Sequence, residues 1–149
     1  MRRTSYAPIF AFAIAQEGQY ETFQLVLPGI YDPQGVATGT PIVSGAHASG
    51  KSIPTTGWTA SVVGILKAGD FLKFDNHTKV YMVTADASSD GSGSANLSIE
   101  PPLVAALVDT ESITVTGVPF TVAFDGDIQE FGVRSPVLFS YQASFIEVV

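Results

Sequence analysis

The sequence predicts an all-β protein, and three observations carry that prediction. Apolar and polar residues alternate with a period of two in one segment after another, the pattern of strands with one buried face. Fourteen glycines and nine prolines recur along the 149 residues, which leaves little room for long helices. The longest alternating run, Val137 to Val149, puts Val137, Phe139, Tyr141, Ala143, Phe145, Glu147 and Val149 on one face. That face carries the aromatics, so it should look into the core.

The elements follow in chain order. Ile9 to Ala15, after Pro8, reads as a buried strand. With Arg2 and Arg3 ahead of it and Ala13-Ile14-Ala15 at its end it also has the outline of a secretory signal, but seven apolar residues are at the short limit of such a segment, and the strand is preferred. No run approaches the ~18 apolar residues of a membrane span. Thr22 to Leu27 is a strand stopped by Pro28-Gly29. Tyr31 to Thr40 is loop, Pro41 to Val43 at most a short edge strand, and Ser44 to Ser52 a flexible loop of small residues. Ile53 to Leu66 is mixed: Trp58 should be buried, and Ser61 to Leu66 is either a short strand or a turn of helix.

The middle is clearer. A turn at Lys67 to Asp70 leads into Phe71 to Phe74, Asp75 to Thr78 reverses the chain, Lys79 to Thr84 returns it, and the polar tip Asp86 to Gly93 precedes Ala95 to Ile99, giving a three-stranded meander. Pro101-Pro102 ends it. Leu103 to Val108 is the best place for a short helical turn, with Pro102 acceptable near its start. Ser112 to Thr116, Phe120 to Phe124 and Ile128 to Phe131 are strands, with a turn at Asp125 to Asp127. The final run, ~13 residues long, should bend or change partners along its length.

Phe-rich strands at both ends predict an outer β-sandwich or barrel built from residues 1–35 and 119–149, with residues 36–118 inserted as a small β subdomain and at most one short helix overall. A single β domain over residues 1–149 is the alternative. There is no internal repeat of fixed period.

Composition speaks about neighbours. Only 14% of residues are charged, against a usual share of about 25%, while 46% are hydrophobic. Disorder is excluded, and much of the surface should be covered by other subunits. A net charge of −7 repels phosphate backbones and anionic lipid, so no specific nucleic-acid partner is expected. Without cysteine there is no disulfide, thiolate metal site or Cys nucleophile.

Three motifs invite a chemical reading. Gly45 to Ser52 (GAHASGKS) fits the phosphate-loop spacing G-x-x-x-x-G-K-[ST]. Such a loop works only at the start of a helix, and Pro54 and Gly57 disfavour one there. Asp86 to Gly91 imitates the start of a Ca²⁺ loop, but its closing position is Leu97 instead of a bidentate Glu. His47 and His77, the only histidines, lie in loops about thirty residues apart, too far in sequence to form a local ligand pair. Asp70, Asp75, Asp86, Asp90, Asp125 and Asp127 sit mostly at turns, where solvation is the default. Trp58, Tyr31 and Tyr141 fit a core better than a sugar-stacking surface. No catalytic, cofactor-binding or metal residue is therefore assigned, and neither enzymatic activity nor a cofactor is expected.

Two stretches carry a family likeness. Leu66 to Phe71 (LKAGDF), Val80 to Asp86 (VYMVTAD), Asp90 to Gly93 (DGSG) and Leu97 to Leu103 (LSIEPPL) together resemble a meander of bacteriophage virion proteins, including coat proteins of the short-tailed P22 type and tail proteins. Glu21 to Pro28 with the terminal Ser140 to Val149 (SYQASFIEVV) is similar to the short tail-tip proteins of lambda-like long-tailed phages, whose first and last strands build a ring-forming β-barrel. The middle of about 80 residues departs from those minimal proteins.

The resemblances imply a structural virion protein of a phage tail: a cyclic homo-oligomer at the distal tail or tail tip, joining tube to adhesion apparatus and assembled in the host cytoplasm. Its partners would be its own copies and the tail-tube and tail-tip proteins. A capsid decoration or head-associated protein is the alternative, and a secreted carbohydrate-binding β-sandwich is a third reading.

Overall fold

A computed structural model describes residues 3–126, 131–134 and 138–149. The described chain is all-β apart from one helix, and it divides into two compact units: residues 26–120, and residues up to 25 together with 121–148.

The middle unit holds six strands: β2 (Gly39–Val43), β3 (Ser52–Trp58), β4 (Phe71–Phe74), β5 (Val80–Val83), β6 (Ala95–Glu100) and β7 (Ile113–Thr114). β1 (Phe23–Leu25) and β8 (Phe120–Phe124) bracket them in sequence. Hydrogen bonding runs in the order β2-β3-β6-β5-β4-β7. The two ends of that sheet then meet: Ile42 bridges Ser112, the Val43 N–H donates to Glu111 O at 2.9 Å, and the Thr110 N–H donates to Val43 O at 3.0 Å. The unit is a nearly closed small barrel, which leaves little open edge.

Alternation fills its interior. Leu72 and Phe74 of β4, Tyr81 and Val83 of β5, and Leu97 and Ile99 of β6 are all buried, while Met82 points outward. In β3, Ile53 and Thr55 point inward, but Trp58 and not Gly57 follows them. A bulge lies at this point, where two residues of β2 (Thr40 and Pro41) stand against one of β3 (Gly57). Gly57 sits there at φ +83°, and a Cβ on it would run into the carbonyl of Thr40. The expected meander is the antiparallel series β4-β5-β6, with Phe71 opposite Met82 and Val83 opposite Ile99. The edge strand expected at Pro41 to Val43 ends β2.

Two other expectations in this unit need correction. Leu103 to Val108 makes no helical turn: Leu107 pairs with His47 through reciprocal backbone bonds of 3.2 and 2.7 Å and drops its side chain into the core, while the Val104 N–H is taken by the Tyr81 hydroxyl. Tertiary pairing outweighs local propensity there. Ser61 to Leu66 is neither strand nor helix but a turn with one bridge, Leu66 to Ala87.

The terminal unit contains α1 (Arg3–Ala15) and a sheet in the order β1-β8-β11, where β11 is Phe145–Glu147. A separate antiparallel hairpin joins β9 (Phe131–Arg134) to β10 (Leu138–Tyr141). The run from Val137 changes partners as expected. Its first part pairs with β9 and its last with β8, with Phe145 opposite Phe124. The rings of Phe23, Phe124 and Phe145 meet at centroid distances of 5.2 to 5.6 Å. Asp127, Ile128 to Glu130 and Val137 lie outside the described residues.

The strand expected at Ile9 to Ala15 is instead the C-terminal half of α1. Alanine is the strongest helix former and is depleted in strands, so Ala11, Ala13 and Ala15 decide a run whose apolar continuity fits either period. Ala13 is buried and the Phe12 ring stands edge-on to Phe23 at 5.0 Å, so this face is the one that packs within the unit.

Candidate assembly surface

The motif that fits a phosphate loop is built for another purpose. Gly45 donates its N–H to the Asp109 carboxylate at 2.7 Å, His47 donates its own to Leu107 O, and no helix follows, because Ser52 begins β3. Lys51 is ion-paired with Glu100 on the surface. A carboxylate thus lies where an anion would have to bind.

The oxygens of the Ca²⁺-like run diverge in the same way. Asp86 accepts the Ala68 N–H at 3.0 Å, the Ser88 hydroxyl accepts the Gly64 N–H, and Ser89 is buried, its hydroxyl donating to Thr59 O at 2.6 Å. Asp90 folds back on its own turn, taking the Ser92 hydroxyl at 2.7 Å and the amides of Ser92 and Ser94 at 2.8 and 2.9 Å. These contacts hold its carboxyl below the ordinary value, the Ser92 hydroxyl first and the Ser94 amide next. Among the described residues no group of three or more His, Asp or Glu converges on a metal position.

The buried charges pin loops. Asp70, 3% exposed, accepts the amides of Gln34 (2.7 Å), Gly35 (3.1 Å) and Lys67 (2.7 Å). Glu111 accepts those of Asn76 (2.9 Å) and Val108 (3.0 Å). Each carboxylate replaces hydration with charge-assisted bonds to amides that no strand satisfies. His77 is buried beside Phe74 and Tyr81, with Nδ1 2.8 Å from the Tyr81 hydroxyl. His47 has a different neighbourhood, its Nδ1 lying 3.2 Å from Ala46 O. Trp58 is buried and donates its indole N–H to Thr55; Tyr31 is exposed and lies over Gly117. A cleft of about 150 Å³ lies between residues 29–34 and Gly69 to Phe71, with the satisfied Asp70 in its wall.

What faces outward is apolar. In the middle unit Val36 and Val63 stand on loops joined by the bond from the Val36 N–H to Gly64 O, and Val104 and Val108 project from the loop after β6. In the terminal unit Ile9, Phe10 and Ile14 of α1 and Phe145 and Ile146 of β11 are exposed. Reading Ile9 to Ala15 as a buried strand missed the α1 residues. The signal that finds them is an apolar helix without a polar face, which needs cover on all sides.

A small barrel whose buried acids, Asp70 and Glu111, hold backbone amides and which leaves several apolar side chains exposed has the character of a structural protein. Residues 30–118, more than half of the chain and including all six barrel strands, match the family described as distal tail protein pb9, B domain. The chain belongs to this family: it is a distal tail protein of a siphovirus, a structural component of the virion tail that associates with other tail components. The search of curated proteins found no match. The stretches likened to P22-type coat proteins lie within the matched segment. Among the described residues no helix is long and apolar enough to cross a membrane.

Proposed function

We propose that the protein forms a cyclic homo-oligomer at the distal end of the tail tube, joining the tube to the tail-tip and adhesion proteins after assembly in the host cytoplasm. The observation that carries this reading is the distal-tail match over the whole barrel. It is supported by the division of the chain into two units. In this reading the terminal segments, residues 1–35 and 119–149, form the ring-building domain, and residues 36–118 are a domain inserted into it.

Function is then a matter of rigid placement. The barrel is nearly closed and its loops are pinned by Asp70 and Glu111, so it presents a fixed surface. The terminal unit leaves β11 at the edge of its sheet and α1 exposed, features a neighbouring subunit can cover. With a net charge of −7, a lumen lined by the acids would repel passing DNA.

Electron microscopy of the purified protein and of its parent particle tests the reading. Rings of one chain type, located by labelling at the end of the tail tube, are expected. A protein that stays monomeric at all concentrations, or that labels tailless capsids, overturns it; a basic or apolar lumen overturns the acidic lining alone.

A further inference from the structure

The cleft beside Asp70 is held open by its own walls. Asp70 ties one end of the segment before β2 to the turn before β4, through the amides of Gln34 and Gly35 at 2.7 and 3.1 Å. The Gly117 N–H ties the other end, donating to Tyr31 O at 2.7 Å. Gly35 lies so close to the barrel that a Cβ on it would run into the carbonyl of Ile65. Between these anchors the chain borders a space of about 150 Å³ whose facing wall includes Phe71 and Val115. The Phe71 ring is braced edge-on by Phe120 at 5.6 Å, and Val115 is buried. Gly69, at φ +97°, adds no side chain; a Cβ there would stand 3.2 Å from the Gln34 Nε2. Such a cavity is preorganised, so a guest pays little for ordering it.

Its negative charge has no counterpart. A carboxylate has about four acceptor sites, and Asp70 fills three of them: Gln34 on Oδ1, Gly35 and Lys67 on Oδ2. One site on Oδ1 remains. Asp32, also in the lining, is exposed, and among the described residues its carboxylate has neither a hydrogen bond nor an ion pair. Asp70 has no ion pair among them either. Lys67, the nearest base in sequence, lays its stem toward Gly64 instead. Size decides what can enter. The space equals that of about five waters and falls well below the ~300–1,000 Å³ of pockets that take a whole small ligand, so a nucleotide or a sugar chain is too large and the end of one side chain fits.

We propose that this cleft receives an arginine side chain of a different tail protein, its stem against Phe71 and Val115 and its guanidinium between Asp32 and the open Oδ1 site of Asp70. A guanidinium presents five donors in a flat fork, is more weakly hydrated than an ammonium and stacks on aromatic rings, so it suits a half-enclosed, half-apolar site better than lysine does. The barrel cannot supply the group itself, since Arg2, Arg3 and Arg134, the three arginines of the chain, all lie outside residues 26–120. A second copy brings the same net charge of −7, so charge does not steer it to an acidic cleft, whereas it does steer a basic loop of another component. The contact goes beyond the ring proposed above and is independent of it, because every group of the site belongs to one barrel.

Saturation-transfer NMR on the full-length protein reads this site in a monomer or a ring alike, with N-acetyl-arginine methylamide as the probe and its neutral citrulline analogue as the control. At low salt the arginine signal is expected to exceed the citrulline signal about fivefold, with the lysine analogue between them, and to fade as salt is raised. Asp32→Asn changes an exposed residue without a partner, so the circular dichroism spectrum should stay the same while the arginine signal drops to the citrulline level. Asp75→Asn, at an exposed acid in the turn after β4, should leave that signal intact. Equal signals from arginine and citrulline, or equal losses from the two variants, overturn the site. A lysine signal as strong as that of arginine overturns the choice of a guanidinium. Weaker self-association of Asp32→Asn in sedimentation overturns the assignment to a different protein and puts the arginine on a second copy.

Discussion

The two units of this chain bury their apolar residues to very different extents. In the barrel, every strand from β3 to β6 puts at least two side chains into a common core to which β2 adds Val43; of the polar groups trapped there, Thr55, Asp70, Ser89 and Glu111 are matched with partners, while His77 is matched only at Nδ1. In the terminal unit the buried apolar residues described are Ala13, Val122, Ala123 and Phe124, whereas Ile9, Phe10, Ile14, Phe145 and Ile146 stay exposed. The barrel is complete in one copy. Both units nonetheless carry apolar surface that assembly would cover: Val36, Val63, Val104 and Val108 on the barrel, and Ile9, Ile14 and Ile146 on the terminal unit.

The largest effect should come from the barrel core. Phe74→Ala is expected to cost about 3–5 kcal/mol, read by urea unfolding with Trp58, the single tryptophan, as a reporter of the barrel alone. Phe124→Ala should melt the terminal unit at lower urea by far-UV circular dichroism while leaving the Trp58 transition in place; one shared transition would break the contrast between the units. Asp70→Ala strands three amides and should cost about 3 kcal/mol on the Trp58 signal. A much smaller loss would show that the loop at Gln34 contributes little to barrel stability.

Ile14→Asp should shift the stability of the dilute chain by no more than about 0.5 kcal/mol while weakening self-association in sedimentation. The smallest effect is at Asp90. Folding lowers its pKa, so its contribution is present at pH above the ordinary value of 3.8 and is lost as pH falls through the lowered one. Amide chemical shifts of Ser92 and Ser94 should follow that titration, and Asp90→Ala should abolish it.

Local pattern was enough for β4, β5 and β6, where two-residue alternation and turn residues agree and the meander pairs sequence neighbours, and it marked β8 as a strand without showing that β1 would be one of its partners. It was not enough where the answer lies far away in the chain. Nothing near Pro41 shows that β2 will close against Ser112, and nothing near Leu107 shows that His47 will claim its amide. The apolar run at Ile9 was ambiguous for a different reason, since alternating Phe and Ala satisfies both periods. Of the candidate surface, the shortage of charge announced that cover was needed but not which residues needed it. The pinning roles of Asp70 and Glu111 were invisible because a carboxylate at a turn reads the same whether it is solvated or buried.

The hydrogen bond from the Gln24 side chain to the Thr121 hydroxyl, 3.0 Å long, joins residues on either side of the whole barrel. Bringing such distant points together in a disordered chain costs about 4 kcal/mol of loop entropy, a cost already offset once the intervening barrel has folded and fixed its two ends. The order of events follows from this. The barrel is expected to form first and the terminal unit, with its assembly surface, afterwards, which would show as protection of barrel amides ahead of those of β1 and β8 in pulse-labelled hydrogen exchange.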